Sequence, residues 1–165
     1  LIYMFYMGNV MDNMSMEVFI KKVYAFAFRL TGSENSACIL AEAAINRMVQ
    51  ASDLSNNMSE DFFMCIAKDI CNIYISNPKP LTYEDCEEYE KKADANMLQK
   101  IILSLEPLNR ITIIWKDVYG FSLNEIIPAV NQPYNILQQV LASTRHQIIV
   151  QTLKEGELGE HQNTL

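Results

Sequence analysis

Apolar positions recur along this chain at steps of three and four, the period of helices with one buried face. From Met16 to Leu30 the series is Phe19, Val23, Phe26, Leu30. Thr31-Gly32-Ser33 breaks it, and Ser33 is placed to cap a second helix that runs to about Ala51. On that helix Ala37, Leu40, Ala41, Ala44, Ile45 and Met48 form a face of mostly small side chains, which allows close packing. Ser52 to Ser59 is a polar loop, and Ser59 is placed to cap a third helix bearing Phe62, Phe63, Ile66, Ala67, Ile70 and Ile73. That helix ends before Asn77-Pro78. Three helices with matching apolar faces predict a small helical domain over 16–76.

Asn77-Pro-Lys-Pro80 favours extended chain. Glu84 to Asp94 then holds six acids and two lysines, so 77–94 reads as an acidic linker or solvated face, with an acidic plug for a basic site as the alternative. Helical spacing resumes with Met97, Leu98, Ile101, Ile102 and Leu105, and Pro107 suits the first turn of another helix. That helix carries Ile111, Ile114, Trp115 and Val118, with Trp115 expected in the core, and Gly120 ends it. Ser122-Leu-Asn-Glu125 is a capping box for a short helix. Pro128 inside that helix removes a backbone bond and costs about 3 kcal/mol unless a kink absorbs it. Asn131-Gln132-Pro133 makes a turn, and the last long helix turns Ile136, Leu137, Val140, Leu141, Thr144 and Ile148 wholly or partly inward. No strand pattern or internal repeat is present. The expectation is an all-α chain: a second helical domain with a helix-turn-helix over 95–153, then a frayed polar tail over 154–165.

Composition narrows the chemistry. The 165 residues are half hydrophobic and one-fifth charged, an ordinary globular mix. The net charge of -7 weighs against broad phosphate binding, which depends on cationic side chains, although a local basic patch would override the sum. Cys38, Cys65, Cys71 and Cys86 contain no C-x-x-C pair, and His146 and His161 are the sole histidines. No metal site or cofactor is therefore expected. Three of the thiols are expected buried and Cys86 in a loop, in a reducing cytoplasm. No stretch reaches the length of a membrane span. Leu1 to Met7 is apolar but lacks the basic region of a signal peptide. Met7, Met11, Met14 and Met16 each offer a start, so 1–15 is expected to be a poorly ordered extension, or an apolar arm that docks on the body or a partner.

Ser104-Leu-Glu-Pro-Leu-Asn-Arg110, Tyr119-Gly-Phe-Ser-Leu-Asn-Glu-Ile126 and the turn and helix that follow carry a resemblance that the rest of the chain extends. Together with Tyr24-Ala-Phe-Ala-Phe-Arg-Leu-Thr-Gly32, Ala37-Cys-Ile-Leu-Ala-Glu-Ala-Ala-Ile-Asn-Arg47 and Ile66-Ala-Lys-Asp-Ile-Cys-Asn-Ile-Tyr74, the layout resembles the extracytoplasmic-function sigma factors of bacterial RNA polymerase over 16–153. The resemblance implies a cytoplasmic transcription protein with core RNA polymerase, promoter DNA and an anti-sigma factor as partners. It assigns polymerase binding to Leu40, Glu42, Asn46 and Arg47. It assigns −10 contact to Phe62, Phe63 and Lys68, and −35 contact to Asn135, Gln138, Gln139 and Arg145.

Departures from the family pattern cluster at those same places. Ile39 stands where an acidic residue is usual, and Glu42 where a glutamine is usual. Ile73 and Ser76 replace the usual Asp and Arg of the −10 segment. On the recognition helix the usually basic positions are Gln138, Val140 and Ser143, leaving Arg145 with His146 beside it. Glutamine and asparagine read adenine edges but supply no long-range attraction. Two readings result: a sigma factor that directs polymerase to promoters, or a sigma-like protein-interaction module with little or no DNA binding. An enzyme is not expected, since no phosphate loop, nucleophile elbow or paired metal ligands occur.

Overall fold

The computed structural model describes residues 15–51, 59–77 and 97–162, and every regular element among them is helical. In chain order these are α1 (Met16–Thr31), α2 (Glu34–Ala51), α3 (Glu60–Ser76), α4 (Met97–Ser104), α5 (Pro107–Ile113), α6 (Leu123–Val130) and α7 (Tyr134–Gln162). α5 runs on into a π turn over Ile114–Val118. The expected N-terminal arm, the polar loop at 52–58, the linker segment 78–94 and Cys86 lie outside the described residues. No described helix is long and apolar enough to cross a membrane.

Serine hydroxyls set the helix starts. Ser15 Oγ accepts from the Val18 amide at 3.4 Å, Ser33 Oγ from Ser36 at 3.2 Å and Ser59 Oγ from Phe62 at 3.2 Å. Each satisfies one of the orphan donors of a first turn. Glu17, Glu34 and Glu60 add negative charge where the helix dipole favours it. At Ser122 the capping box forms as expected: its Oγ accepts from the Asn124 amide at 3.3 Å, and Glu125 Oε2 accepts from the Ser122 amide at 3.2 Å.

Gly32 closes α1 in the left-handed region at φ 70°, and its amide donates to the Phe28 carbonyl at 2.8 Å. Leu103 of α4 presses on it so closely that a Cβ there would lie 2.7 Å from Leu103 Cδ1. Glycine is thus required twice over at this position, by conformation and by space.

The apolar faces of α1, α2 and α3 pack on one another, α3 also packs on α6, and α4, α5 and α6 pack on α7. One continuous core results, running from Phe19 on α1 to Leu141 on α7. α5 lies at its centre. All six residues from Arg110 to Trp115 are buried. A stretch buried on every side needs apolar side chains on every side, and the sequence supplies Ile111, Ile113, Ile114 and Trp115.

Arg110 ties the two halves of the chain together. Its side chain is 5% exposed. Nη1 donates to the Leu30 carbonyl at 2.7 Å and to the Tyr74 hydroxyl at 2.8 Å, while Nη2 donates to the carbonyls of Leu103 and, at 3.0 Å, Leu105. The ends of α1 and α4 leave carbonyls without helical partners, and the planar guanidinium collects them in one fork. Gln99 Nε2 donates to the Arg29 carbonyl at 3.1 Å, and Asn72 Nδ2 to the Ala129 carbonyl at 3.1 Å. An aromatic cluster of Phe26, Phe63, Trp115, Tyr119 and Phe121 crosses the same junction.

The structure departs from the sequence pattern at several points. Met97 and Leu98 are exposed and Gln99 is buried, because the Arg29 carbonyl gives the amide a partner. Cys38 and Cys65 are exposed and only Cys71 of the described thiols is buried. Cys38 sits on the outer side of α2, with Ala37 and Leu40 taking the core side. α7 continues to Gln162 rather than fraying after Lys154. Single glycines such as Gly156 and Gly159 cost only about 1 kcal/mol each in a helix. Pro128 lies on the exposed side of α6, where water can serve the carbonyl that the ring leaves unpaired.

Candidate functional site

Two surfaces and one buried cluster receive the residues singled out from the sequence. The first surface is the outer side of α7. Asn131, at φ 51°, takes the left-handed conformation that asparagine tolerates, and Pro133 accepts the first amides of α7. Leu137, Leu141 and Thr144 then turn into the core at steps of four and three. That register puts Asn135, Gln138, Gln139, Ser143, Arg145 and His146 on the exposed side. Gln138 Nε2 donates to the Tyr134 hydroxyl at 3.2 Å.

Arg145 is held across this surface. Its Nε donates to Asp117 Oδ2 at 2.8 Å and its Nη2 to Asp117 Oδ1 at 2.6 Å. Asp117 comes from the π turn, where one extra residue in the helical turn re-aims the side chains that follow. The carboxylate pushes the Arg145 guanidinium further into its charged range, chiefly through the hydrogen bonds. Its charge is thereby balanced locally, and its fork is occupied by a carboxylate of the same shape as a phosphate edge.

The second surface is the outer side of α2. Glu42, Asn46 and Arg47 are exposed on α2, whereas Leu40, at 8% exposure, faces the core and is not part of that surface. Arg47 Nη1 lies 3.3 Å from Asp69 Oδ1 on α3. Lys68, half-buried on α3, flanks that pair in sequence.

Phe62 and Phe63 part company. Phe62 is half-buried and stacks on Phe19, with ring centroids 5.4 Å apart. Phe63 is fully buried, so it has no surface with which to unstack or hold a base. It lies against Tyr119 and Phe121 of the second half, at 5.6 Å and 6.0 Å between centroids, with the Lys22 ammonium 4.4 Å from its ring centroid. Phe63, a candidate base contact in the sequence, lies in the core. Tyr119 is held there as the neutral phenol: burial pushes its pKa up, with Arg29 opposing and Glu60 adding to the rise.

The sequence reading missed Asp117, Arg110 and Asp69. Asp117 stands in a stretch that reads as plain helix, and the π turn that aims it has no composition signal. The other two act through partners far away in sequence, which periodicity does not report.

Comparison of the chain with protein-family models, with curated proteins and with solved structures gives no match in any of the three. The family resemblance therefore rests on the residues and spacings of the chain itself.

Proposed function

We propose that this chain is a sigma-factor-like transcription protein that works chiefly by binding protein. It docks on core RNA polymerase through the exposed α2 residues Glu42, Asn46 and Arg47. In this reading 16–76 and 95–153 are two small helical domains joined by an acidic linker, and α6, the turn and α7 are a helix-turn-helix. The chain performs no bond chemistry of its own; polymerase supplies it, in the cytoplasm.

The observation that carries the emphasis on protein binding is the Arg145–Asp117 pair. Affinity for duplex DNA comes mainly from cations that displace counterions at phosphates. Of the other exposed side chains on this face, Asn135, Gln138, Gln139 and Ser143 carry no charge. The burial of Phe63 beneath the second half supports the same emphasis.

A second reading, a sigma factor that directs polymerase to promoters, is favoured by one feature. Gln138 and Gln139 are exposed side by side, and glutamine pairs with the adenine edge in the major groove. Polymerase would then have to position α7, because the helix lacks the attraction to find DNA alone.

Titration of the purified chain against core RNA polymerase tests the proposal. Glu42→Ala and Asn46→Ala on the exposed face are each expected to weaken binding about tenfold, the ordinary cost of losing an interface residue that matters. Unchanged binding in both variants, with helix content preserved, would overturn the assignment of this surface.

A further inference from the structure

The first turns of α1 carry more apolar surface than the described helices cover. Phe19 and Val23 turn into the core, yet Met16, Val18 and Ile20 are 57%, 53% and 48% exposed. Met16, Ile20 and the half-buried Tyr24 follow at steps of four, so they line one side of the helix beside the buried stripe. Glu17 and Lys21 pair with each other at 2.6 Å, so the charges of these turns are already matched. A helix end that is apolar on most sides is ordinarily covered by another element. Among the described residues this strip is left about half open.

The chain that leads into α1 has the matching chemistry. Ten of the 14 residues from Leu1 to Met14 are apolar, and Asp12 carries their only charge. Leu1-Ile-Tyr-Met-Phe-Tyr-Met7 is apolar without interruption. A run of this kind left in water is an aggregation hazard and calls for cover. Gly8-Asn9 and Asp12-Asn13 are turn-forming pairs between it and the Ser15 cap. The connecting residues 8–14 reach about 23 Å at full stretch, and the strip from Met16 to Tyr24 is about 12 Å long. We infer that the segment Leu1–Met7 folds back and docks on Met16, Ile20 and Tyr24 of its own chain. A tether this short gives an effective concentration on the order of millimolar, which favours the arm's own α1 over that of a second copy. Residues 1–14 hold no lysine or arginine to favour an anionic membrane instead. None of these residues belongs to the proposed polymerase surface, so the inference is independent of that reading.

Methionines on both sides of the contact provide the readout. Hydrogen peroxide converts accessible methionine to the sulfoxide, and peptide mass spectrometry of the full chain follows each residue separately. Met16 is expected to oxidise about tenfold more slowly in the native chain than in the full-length variant Phe5→Asp, as for an arm docked about ten times as often as it is free. Reciprocally, Met4 and Met7 are expected to oxidise about tenfold more slowly in the native chain than in Ile20→Asp. Ile20 is 48% exposed, so this second variant keeps the fold, and circular dichroism checks it. Met97, 38% exposed on α4, is the reference and should oxidise at one rate throughout. The protection is expected to survive dilution. Equal Met16 rates in the native chain and Phe5→Asp would overturn the inference. So would protection that is lost on dilution, which marks a second copy, or that arises only with added phosphatidylcholine vesicles, which marks a membrane.

Discussion

Arg145 on α7 and Asp117 on the π turn form a two-point ion pair, with contacts of 2.6 Å and 2.8 Å. The pair neutralises the cation on the face that would meet a −35 duplex. Both side chains are partly exposed, at 50% and 34%, so the pair contributes on the order of 1 kcal/mol or less to stability. Asp117→Asn should therefore leave the fold intact and release Arg145. The variant is expected to bind duplex DNA more tightly than the native chain, with its salt dependence steeper by about one phosphate contact, a slope change of about 0.9. Fluorescence anisotropy over a salt series measures it. An unchanged slope would mean that Asp117 does not restrain Arg145.

Arg110 spans the halves, with hydrogen bonds from its guanidinium to the Leu30 carbonyl and the Tyr74 hydroxyl. Its removal strands the Leu30, Leu103 and Leu105 carbonyls in a dry core. Arg110→Met is expected to cost about 3 kcal/mol or more in a denaturant titration, since each buried group left unsatisfied costs about 1–3 kcal/mol. Arg110→Lys keeps the charge but loses the fork, and should recover only part of the loss. Full recovery by lysine would show that charge rather than geometry matters here.

The two glycines with positive φ separate conformation from space. Gly120, at φ 74°, has nothing near the position of a Cβ, whereas Gly32 has Leu103 at 2.7 Å. Gly120→Ala should cost about 1 kcal/mol, the ordinary penalty of the left-handed region. Gly32→Ala should cost clearly more, about 2–3 kcal/mol once the forced shift of Leu103 is included. Equal losses in the two variants would rule out the close approach of α4 to the end of α1.

Burial raises the pKa of both Cys71 and Tyr119, so each is neutral in the folded chain. A group raised in this way contributes stability that is complete below its ordinary value and is lost as pH climbs above it. Those ordinary values are 9.0 for the thiol and 10.0 for the phenol. The denaturation midpoint is therefore expected to fall as pH rises through 9.0 and more steeply beyond 10.0. Cys71→Ala should delay the onset of the fall. A midpoint that stays flat across this range would contradict the burial of both groups.

Much of the fold was legible because its signals are local. Ser33, Ser59 and the Ser122–Glu125 box announce helix starts through chemistry confined to one turn, and Gly32 announces a stop. The steps of three and four assigned Phe19, Val23, Phe26 and Leu30 to one face, and all four are buried. What escaped depends on the partner across the core. α5 shows a one-sided pattern in Ile111, Ile114 and Trp115, yet Thr112 and Ile113 are buried as well because helices cover it on several sides. Gln99 reads as polar surface until the Arg29 carbonyl is beside it. Phe62 and Phe63 are adjacent aromatics that composition cannot tell apart; only packing against Tyr119 and Phe121 assigns one to the core. For the candidate site, the exposed side of α7 followed from spacing, but the loss of its one arginine to Asp117 did not.

On the proposed function, the chain binds polymerase as a protein partner and contributes little to promoter contact. The most direct test is the affinity of the purified chain for core RNA polymerase with and without fork-junction promoter DNA, at low and at physiological salt. Polymerase binding that the DNA barely strengthens, with no promoter opening at physiological salt, is the expected result. Salt-sensitive promoter opening by the native chain, or failure to bind polymerase at all, would contradict it.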